Sequence, residues 1–412
     1  MGYVDLGRVQ LALAQHNLDG LLVLSPENFE YFSGVSGFPV TMWRRAGPAS
    51  ALFAATGEVA FVAPETIEES VRNANPGAPV FSHPLWIETI DIRQSGAGAI
   101  EERVVQATTG RTHGRPETYD PALVGRALQA AVEALGLAGK RIGLDLEFAP
   151  AADVEQLRAL LPGAEFVNSS PLIRELRLLK TPVEIELLRR GVRLTEHGIT
   201  AAVAGIDEGT LAHDLRSRFS EACFAQARKE REPGLRQART GVHLGPALWA
   251  ATDPARPAQQ GDLVQFDSFV EIHGYKTDMG RTFTFGPATD AQRRIQDALL
   301  AGFRAGLAIL QPGRRFCDVF FAVHHAVRAA GFPSYARGHV GHSIGSDVDG
   351  EEWPWISATE TRVLEPGMVL AFEAPYYING IGGFQNEDDI LITESGHESF
   401  NTLPLELVEV GG

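Results

Sequence analysis

LVQFDSFVEIHGYKTDMGRTFTFG, residues 263–286, is the stretch from which the rest of the chain is read. Strand-forming residues run on both sides of Ile272-His273-Gly274: Leu263, Val264, Phe266, Phe269 and Val270 before it, and Tyr275, Thr277, Thr282, Phe283 and Thr284 after it. Gly274 supplies the turn. A chain folding back about Ile272-His273 sets Asp267 directly opposite Asp278, with both carboxylates on one face of a hairpin. Two such carboxylates repel unless a cation lies between them or one keeps a proton, so a buried pair favours a metal site or a shared proton. From the hairpin alone, two solvated aspartates flanking a turn remain the alternative.

Outward from this hairpin, 412 residues exceed the usual size of one core and suggest two domains. A hydrophobic content of 44% supports sizeable cores, and a formal net charge of −16 disfavours a general nucleic-acid or anionic-membrane surface. Cys223 and Cys317 lie in apolar helical patterns without metal-ligand spacing and read as buried thiols of a reducing compartment. No run spans a membrane. The N-terminus, MGYVDLGRVQLALAQHNLDG, reads as the start of an amphipathic helix without a secretory pattern, so the expected location is cytoplasmic.

In order, the first part alternates helix (Leu6–Gln15), buried strand (Gly20–Ser25), short helix (Phe29–Phe32), a strand pair (Ala49–Ala54 and Val59–Val62) and helix (Ile67–Asn73). Helix Pro121–Leu135, strand Arg141–Asp145 and helix Ala151–Leu160 follow. This is an α/β domain over residues 1–175, with no Gly-rich phosphate loop and no nucleophile elbow. The Gly96–Pro116 tract reads as an exposed excursion or an oligomer contact, and its His113 as a surface residue. The second domain, residues 176–412, opens where Thr181 caps a helix with Pro182 in its first position. A second helix spans Leu211–Ala227, and TGVHLGPALWAATDPARPAQQGD after it reads as loop-rich. Helices Asp290–Leu310 and Cys317–Ala329 follow the hairpin. His324 and His325 in the latter point in different directions and read as packing or surface residues.

The tail supplies what the hairpin lacks. GHVGHSIG (338–345), EPGMVLAFEAPY (365–376) and GGFQNEDDILIT (382–393) each place one metal-capable residue in a glycine-rich or strand-patterned stretch: His342, Glu373 and Glu387. A lone Glu beside a buried strand requires a partner. Asp267, Asp278, His342, Glu373 and Glu387 together form a two-metal set, with Asp278 and Glu387 bridging, Asp267 on one ion, and His342 and Glu373 on the other.

At these residues the sequence resembles the pita-bread (M24-type) metallopeptidase family, which includes methionine aminopeptidase, prolidase, aminopeptidase P and the related creatinase. The family order is Asp, ten residues, Asp, a GHxIG-type His, PGMxxxxE and a final Glu-Asp before an apolar strand. Here it reads Asp267, Asp278, Gly341-His342-Ser343-Ile344-Gly345, Pro366-Gly367-Met368 to Glu373, and Glu387-Asp388. The resemblance implies an α/β creatinase-like N-terminal domain followed by an α+β pita-bread catalytic domain, with two divalent ions and Glu373 as general base. The oxygen-rich, single-imidazole donor set favours Mn²⁺, with Co²⁺, Fe²⁺ and Zn²⁺ as alternatives. The implied activity is hydrolysis of a C–N bond in a small peptide, first of all a proline-related exopeptidase, in a homodimer.

Two departures qualify the substrate. The family's histidine seven residues after the GHxIG histidine is replaced here by Asp349, and the usual PH pair before the first Asp ligand is absent. His243 is the nearest candidate for the latter role, and His339 for either. Asp349 would offer an anion or a base where an imidazole normally meets substrate. Trp249, Trp353, Trp355 and Phe384 are candidates for an apolar pocket wall. A creatinase- or ectoine-hydrolase-like amidohydrolase, a metal-dependent lyase and a non-catalytic binding protein are the other readings. Creatinase works without metals and has no need of five ligands.

Overall fold

The computed structural model describes residues 2–38, 40–110, 114–247, 253–347 and 350–411. His113, Trp249 and Asp349 lie outside the described residues. The chain divides into two units, Met1–Leu176 and Arg177–Gly412.

The first unit is built on six strands, β1 (Gly20–Val23), β2 (Ser50–Ala54), β3 (Val59–Pro64), β4 (Val80–His83), β5 (Arg141–Leu144) and β6 (Glu165–Asn168). They lie in the order β4-β3-β2-β1-β5-β6, with β1–β2 and β2–β3 antiparallel and the other neighbours parallel. Helix Pro121–Ala134 lays Ala127, Leu128, Ala131 and Val132, one face at helical spacing, on Leu22, Leu52, Val62, Ile142 and Leu144. The Gly96–Pro116 tract is an exposed excursion, with none of its described residues buried. It carries helix Ile100–Thr108, which buries no residue and has Glu101 and Glu102 in its first turn, where the helix dipole favours them. Strands β4 and β6, four residues each, were too short to show a period.

The second unit contains β7 (Leu235–Leu244), β8 (Leu263–Ile272), β9 (Tyr275–Lys276), β10 (Met279–Phe285), β11 (His339–Ser343), β12 (Glu352–Ser357) and β13 (Val369–Glu373). It continues with β14 (Tyr376–Ile378), β15 (Gly382–Phe384), β16 (Glu387–Ile392), β17 (His397–Ser399) and β18 (Val408–Val410). The curled main sheet runs β12-β11-β13-β16-β10-β8-β7, with β17 on β16, β18 on β10 and β9 on β8, while β14 and β15 form a separate hairpin. Thr181 caps helix Pro182–Val203 in a reciprocal bond with Glu184, as the sequence led one to expect. The tract after Arg231 is a correction: residues 240–244 belong to β7, which pairs with β8 through His243 and Gln265, so the loop reading fails there. The partner strand that makes this segment extended is distant in sequence.

The hairpin turn is also corrected. His273 and Gly274 both have positive φ, 49° and 84°, as a two-residue hairpin turn needs, and Ile272 pairs with Tyr275. Asp267 therefore stands opposite Gly280 rather than Asp278. The shift is two residues, so Asp267 keeps the same face, and Asp278 sits diagonally from it in the break between β9 and β10.

One face of the sheet packs under helices. Leu370 and Phe372 of β13 and Ile390 and Ile392 of β16 join Leu299, Phe303, Val319, Val323 and Val327 of helices Asp290–Leu307 and Phe316–Ala329 in a single core, with the Phe303 and Phe372 rings 4.7 Å apart. Side chains alternate along a strand, so burial of these residues turns Ala371, Glu373, Glu387 and Asp389 to the other face. No described helix is long and apolar enough to cross a membrane.

Candidate active site

Strand register gathers the acids. Asp267 pairs with Gly280, Gly280 with Glu387, and Glu387 with Glu373, so one row crosses β8, β10, β16 and β13 on the face away from the helices. Gly280 is the gap in that row. A Cβ there would lie 1.8 Å from Gln385 Cγ, and Gln385 uses the space to reach both glutamates, its Nε2 donating to Glu373 Oε2 at 3.2 Å and to Glu387 Oε2 at 3.0 Å. His342 pairs with Ala371, two places along β13 from Glu373, and shares that face.

Asp278, His342 and Glu387 each offer one ligand atom, all within 4.8 Å of one another. His342 Nε2 is 3.5 Å from Asp278 Oδ2, and its Nδ1 donates to the Ser343 carbonyl oxygen at 3.0 Å, which leaves Nε2 as the free lone pair. Asp278 is aimed from behind: its backbone N–H donates to both oxygens of the fully buried Asp389, at 3.2 and 3.3 Å. His339 puts Nδ1 3.4 Å from Glu373 Oε1. Burial lowers its pKa against the opposing pull of Glu373. His243 lies on the same face one row away, opposite Gln265, and burial depresses it to about 4, so it is neutral at working pH. Of the pocket-wall candidates, Phe384 is wholly in the core, Trp353 packs under the Arg362 guanidinium at 4.5 Å, and Trp355 is part-exposed opposite His342. His324 is buried against Phe320, and His325 stacks on Phe321.

The electrostatics test whether cations fit. Burial pushes Asp267 up to about 6, helped by the charges of Glu373 and Glu351 and opposed by Arg337. Burial likewise raises Asp278 well above the ordinary carboxylate range, with Asp267 and Asp389 adding to it, and it raises Glu387, with Asp278 and Glu373 adding to it. Carboxylates kept from ionising by burial and by one another's charge are what divalent cations relieve, and the donor set of carboxylate oxygens and one imidazole suits such ions.

The sign of this effect gives a prediction. A carboxyl raised from 3.8 to about 6 holds its proton in the folded metal-free protein where the unfolded chain has lost it. Its contribution to stability is complete below the unfolded value and disappears as pH rises through about 6. In thermal melts of chelator-treated protein, the wild-type Tm should fall relative to that of Asp267→Asn between about pH 4 and pH 7. Saturating divalent ion should remove the difference in slope. Parallel curves for the two proteins without metal would show that Asp267 is solvated.

Four groups at this site escaped the sequence reading. Gln385 stands two residues before Glu387 and Arg337 two before His339, so period-two alternation from a named residue was the available signal. Tyr377, whose hydroxyl donates to Gln385 Oε1 at 2.9 Å, lies on the separate hairpin and gave no such signal. Glu351 is exposed but close enough for its charge to act on Asp267, Asp278 and His339.

Comparison with known proteins agrees with this geometry. Residues 186–394 match the model of metallopeptidase family M24, and residues 6–179 match that of the creatinase/prolidase N-terminal domain. The putative dipeptidase YkvY of Bacillus subtilis is 27% identical over 255 residues, which span 62% of this chain and 69% of that protein. The Xaa-Pro dipeptidase of Pyrococcus furiosus is 26% identical over 244 residues, spanning 59% and 69%. The solved Xaa-Pro dipeptidase from Bacillus anthracis superposes with a TM-score of 0.78 over 98% of this chain and 99% of that one, at 21% identity, a likeness of fold. With a family match over half its length, acids aligned in one row across the curled sheet and a creatinase-type domain before them, the chain belongs to metallopeptidase family M24 and is a hydrolase.

Proposed function

We propose that the protein is a dinuclear metal-dependent exopeptidase acting on proline-containing dipeptides. The observation that carries the reading is the row Asp267–Gly280–Glu387–Glu373, flanked by Asp278 and His342, in which carboxylates from three strands and the break before β10 gather on one face. Asp278 and Glu387 would bridge two ions, with Asp267 completing one site and His342 and Glu373 the other. When bound, the ions would polarise the scissile carbonyl and bring a water molecule into the nucleophilic range at neutral pH. Manganese is the ion we favour, and the homodimer and cytoplasmic location expected from the sequence belong to the same proposal.

The remaining work falls to the protein's own groups. Glu373 accepts the proton of the attacking water and returns it to the leaving nitrogen, as a general base that becomes a general acid. Gln385 holds Glu373 and Glu387 at a fixed separation, and Tyr377 fixes Gln385 in turn. His339, beside Glu373, offers a ring nitrogen to the carbonyl oxygen as charge develops there. Being depressed by burial, it does so as a neutral imidazole.

The reading is tested by metal analysis together with a substrate panel of Xaa-Pro and Pro-Xaa dipeptides, creatine and ectoine. About two divalent ions per chain and cleavage of Xaa-Pro dipeptides that stops on chelation are expected. Full activity in metal-stripped protein, or turnover confined to creatine or ectoine, would overturn it.

A further inference from the structure

The first unit holds a cavity that the catalytic chemistry does not use. It has a volume of about 570 Å³, within the roughly 300–1,000 Å³ of small-molecule sites, and lies between β4, the edge strand of the six-stranded sheet, and helix Pro121–Ala134. Phe81, Pro84 and Leu123 give it an apolar wall, and Glu65, Arg115 and Arg126 are its charged groups. His83 also lines it but adds no charge: burial lowers its pKa, and its Nε2 donates to the Pro48 carbonyl oxygen at 2.8 Å.

The two arginines are incompletely paired. Arg115 Nη1 donates to Glu65 Oε2 at 2.8 Å and to the Leu85 carbonyl oxygen at 3.4 Å, whereas its Nη2 is shut off from solvent with no hydrogen-bond partner among the described residues. Arg126 is exposed on the helix and makes no ion pair among the described residues. A brace from Arg115 to Glu65 needs Nη1 and leaves Nη2 without purpose. A donor hidden from water without an acceptor is costly, and buried donors are nearly always matched. The missing acceptor is what a bound molecule would bring.

Charge decides the class of that molecule. Glu65 stands in the first turn of helix Glu65–Ala74, where the helix dipole favours the ionised carboxylate, so two guanidinium groups against one carboxylate leave a single positive charge in excess. A monoanion cancels it. A phosphate dianion or a dicarboxylate would set its second charge against Glu65 and its polar surface against Phe81 and Leu123. A carboxylate matches the planar fork of a guanidinium, and a short hydrocarbon chain matches the apolar wall.

We propose that this cavity binds a small monocarboxylate with an apolar chain, its oxygens accepting from Arg115 Nη2 and the Arg126 guanidinium and its chain lying on Phe81, Pro84 and Leu123. The site belongs to the first unit and none of the proposed metal ligands lines it, so the inference does not rest on the peptidase reading.

Calorimetry on the full-length, metal-loaded protein tests it, with hexanoate as the probe and hexanamide and inorganic phosphate as controls. The wild type should bind hexanoate with a Kd below about 1 mM, and the amide and phosphate at least about tenfold more weakly. Arg115→Met should weaken hexanoate binding at least about tenfold and leave the amide unchanged. Arg126→Met should cost less, because water and salt screen an exposed guanidinium. Leu123→Trp, which fills the cavity and keeps both arginines, should abolish binding, and it decides the matter if loss of the Glu65 pair unfolds Arg115→Met. A carboxylate can also ligate active-site ions, so the titration is repeated on Glu387→Ala, where binding should persist. No hexanoate binding to the wild type, equal affinity for hexanamide or phosphate, or full affinity in Arg115→Met or Leu123→Trp would each overturn the proposal. Binding that disappears in Glu387→Ala puts the carboxylate on the metal ions and overturns it as well.

Discussion

Replacing Glu387 by alanine is expected to abolish turnover, with a loss of at least about a thousandfold in kcat/KM, because several kcal/mol of transition-state stabilisation depend on the cations it would bridge. Glu387 lies at the centre of the site. It pairs across strands with both Gly280 and Glu373, offers an oxygen within 4.8 Å of ligand atoms of Asp278 and His342, and accepts from Gln385. Metal analysis of Glu387→Ala should show a loss of occupancy from about two ions per chain, since a bridging position serves both sites. The folded metal-free variant should not be less stable than the metal-free wild type, because a carboxyl that burial and its neighbours push up is removed. Wild-type metal content together with wild-type activity would remove Glu387 from the ligand set.

The second large effect concerns Arg281, on the helix-facing side of the same strands. The side chain is 2% exposed, and its Nη1 donates to the carbonyl oxygens of Gly280 at 2.8 Å and Glu387 at 2.7 Å. Its Nη2 donates to Asp388 Oδ1 at 2.6 Å and to the Leu403 carbonyl oxygen at 2.9 Å. One buried cation thus ties β10 to β16 directly beneath the acid row and holds the C-terminal segment to both. Arg281→Met leaves Asp388 buried with the Ser399 hydroxyl still donating to it and strands three carbonyls, which costs about 3–5 kcal/mol. The melting transition of the catalytic unit should fall by roughly 6–20 °C. A double variant, Arg281→Met with Asp388→Leu, should recover part of the loss, since an apolar pair is tolerated better than a widowed charge. A Tm within a degree or two of wild type for the single variant would show that Arg281 contributes only a solvated contact.

How far the sequence reaches is shown by comparing these two residues. Glu387 was legible because a lone acid ahead of Ile390-Leu391-Ile392 conflicts with its apolar surroundings and demands a partner. Arg281 carries no such mark. A single arginine in MGRTFTF reads as the exposed member of an alternating strand until helices are known to cover that face. Asp349, which the sequence singles out in place of the family's imidazole, lies outside the described residues.

By itself the sequence determined the elements that local pattern controls: the capped helix at Thr181-Pro182, the amphipathic face of helix Pro121–Ala134, a hairpin with Gly274 in its turn, and a set of acids and one histidine in family order. Each of these is decided within a few residues, by capping, periodicity or a positive φ. The tertiary structure alone decided the register that puts Asp267 opposite Gly280, the extension of β7 through His243, the filling of the Gly280 gap by Gln385, and the anchoring of Arg337 by His324. These join residues separated by 13 to more than 100 positions, and no local preference encodes such a pairing. It follows from which apolar faces can be buried together once all the strands are present.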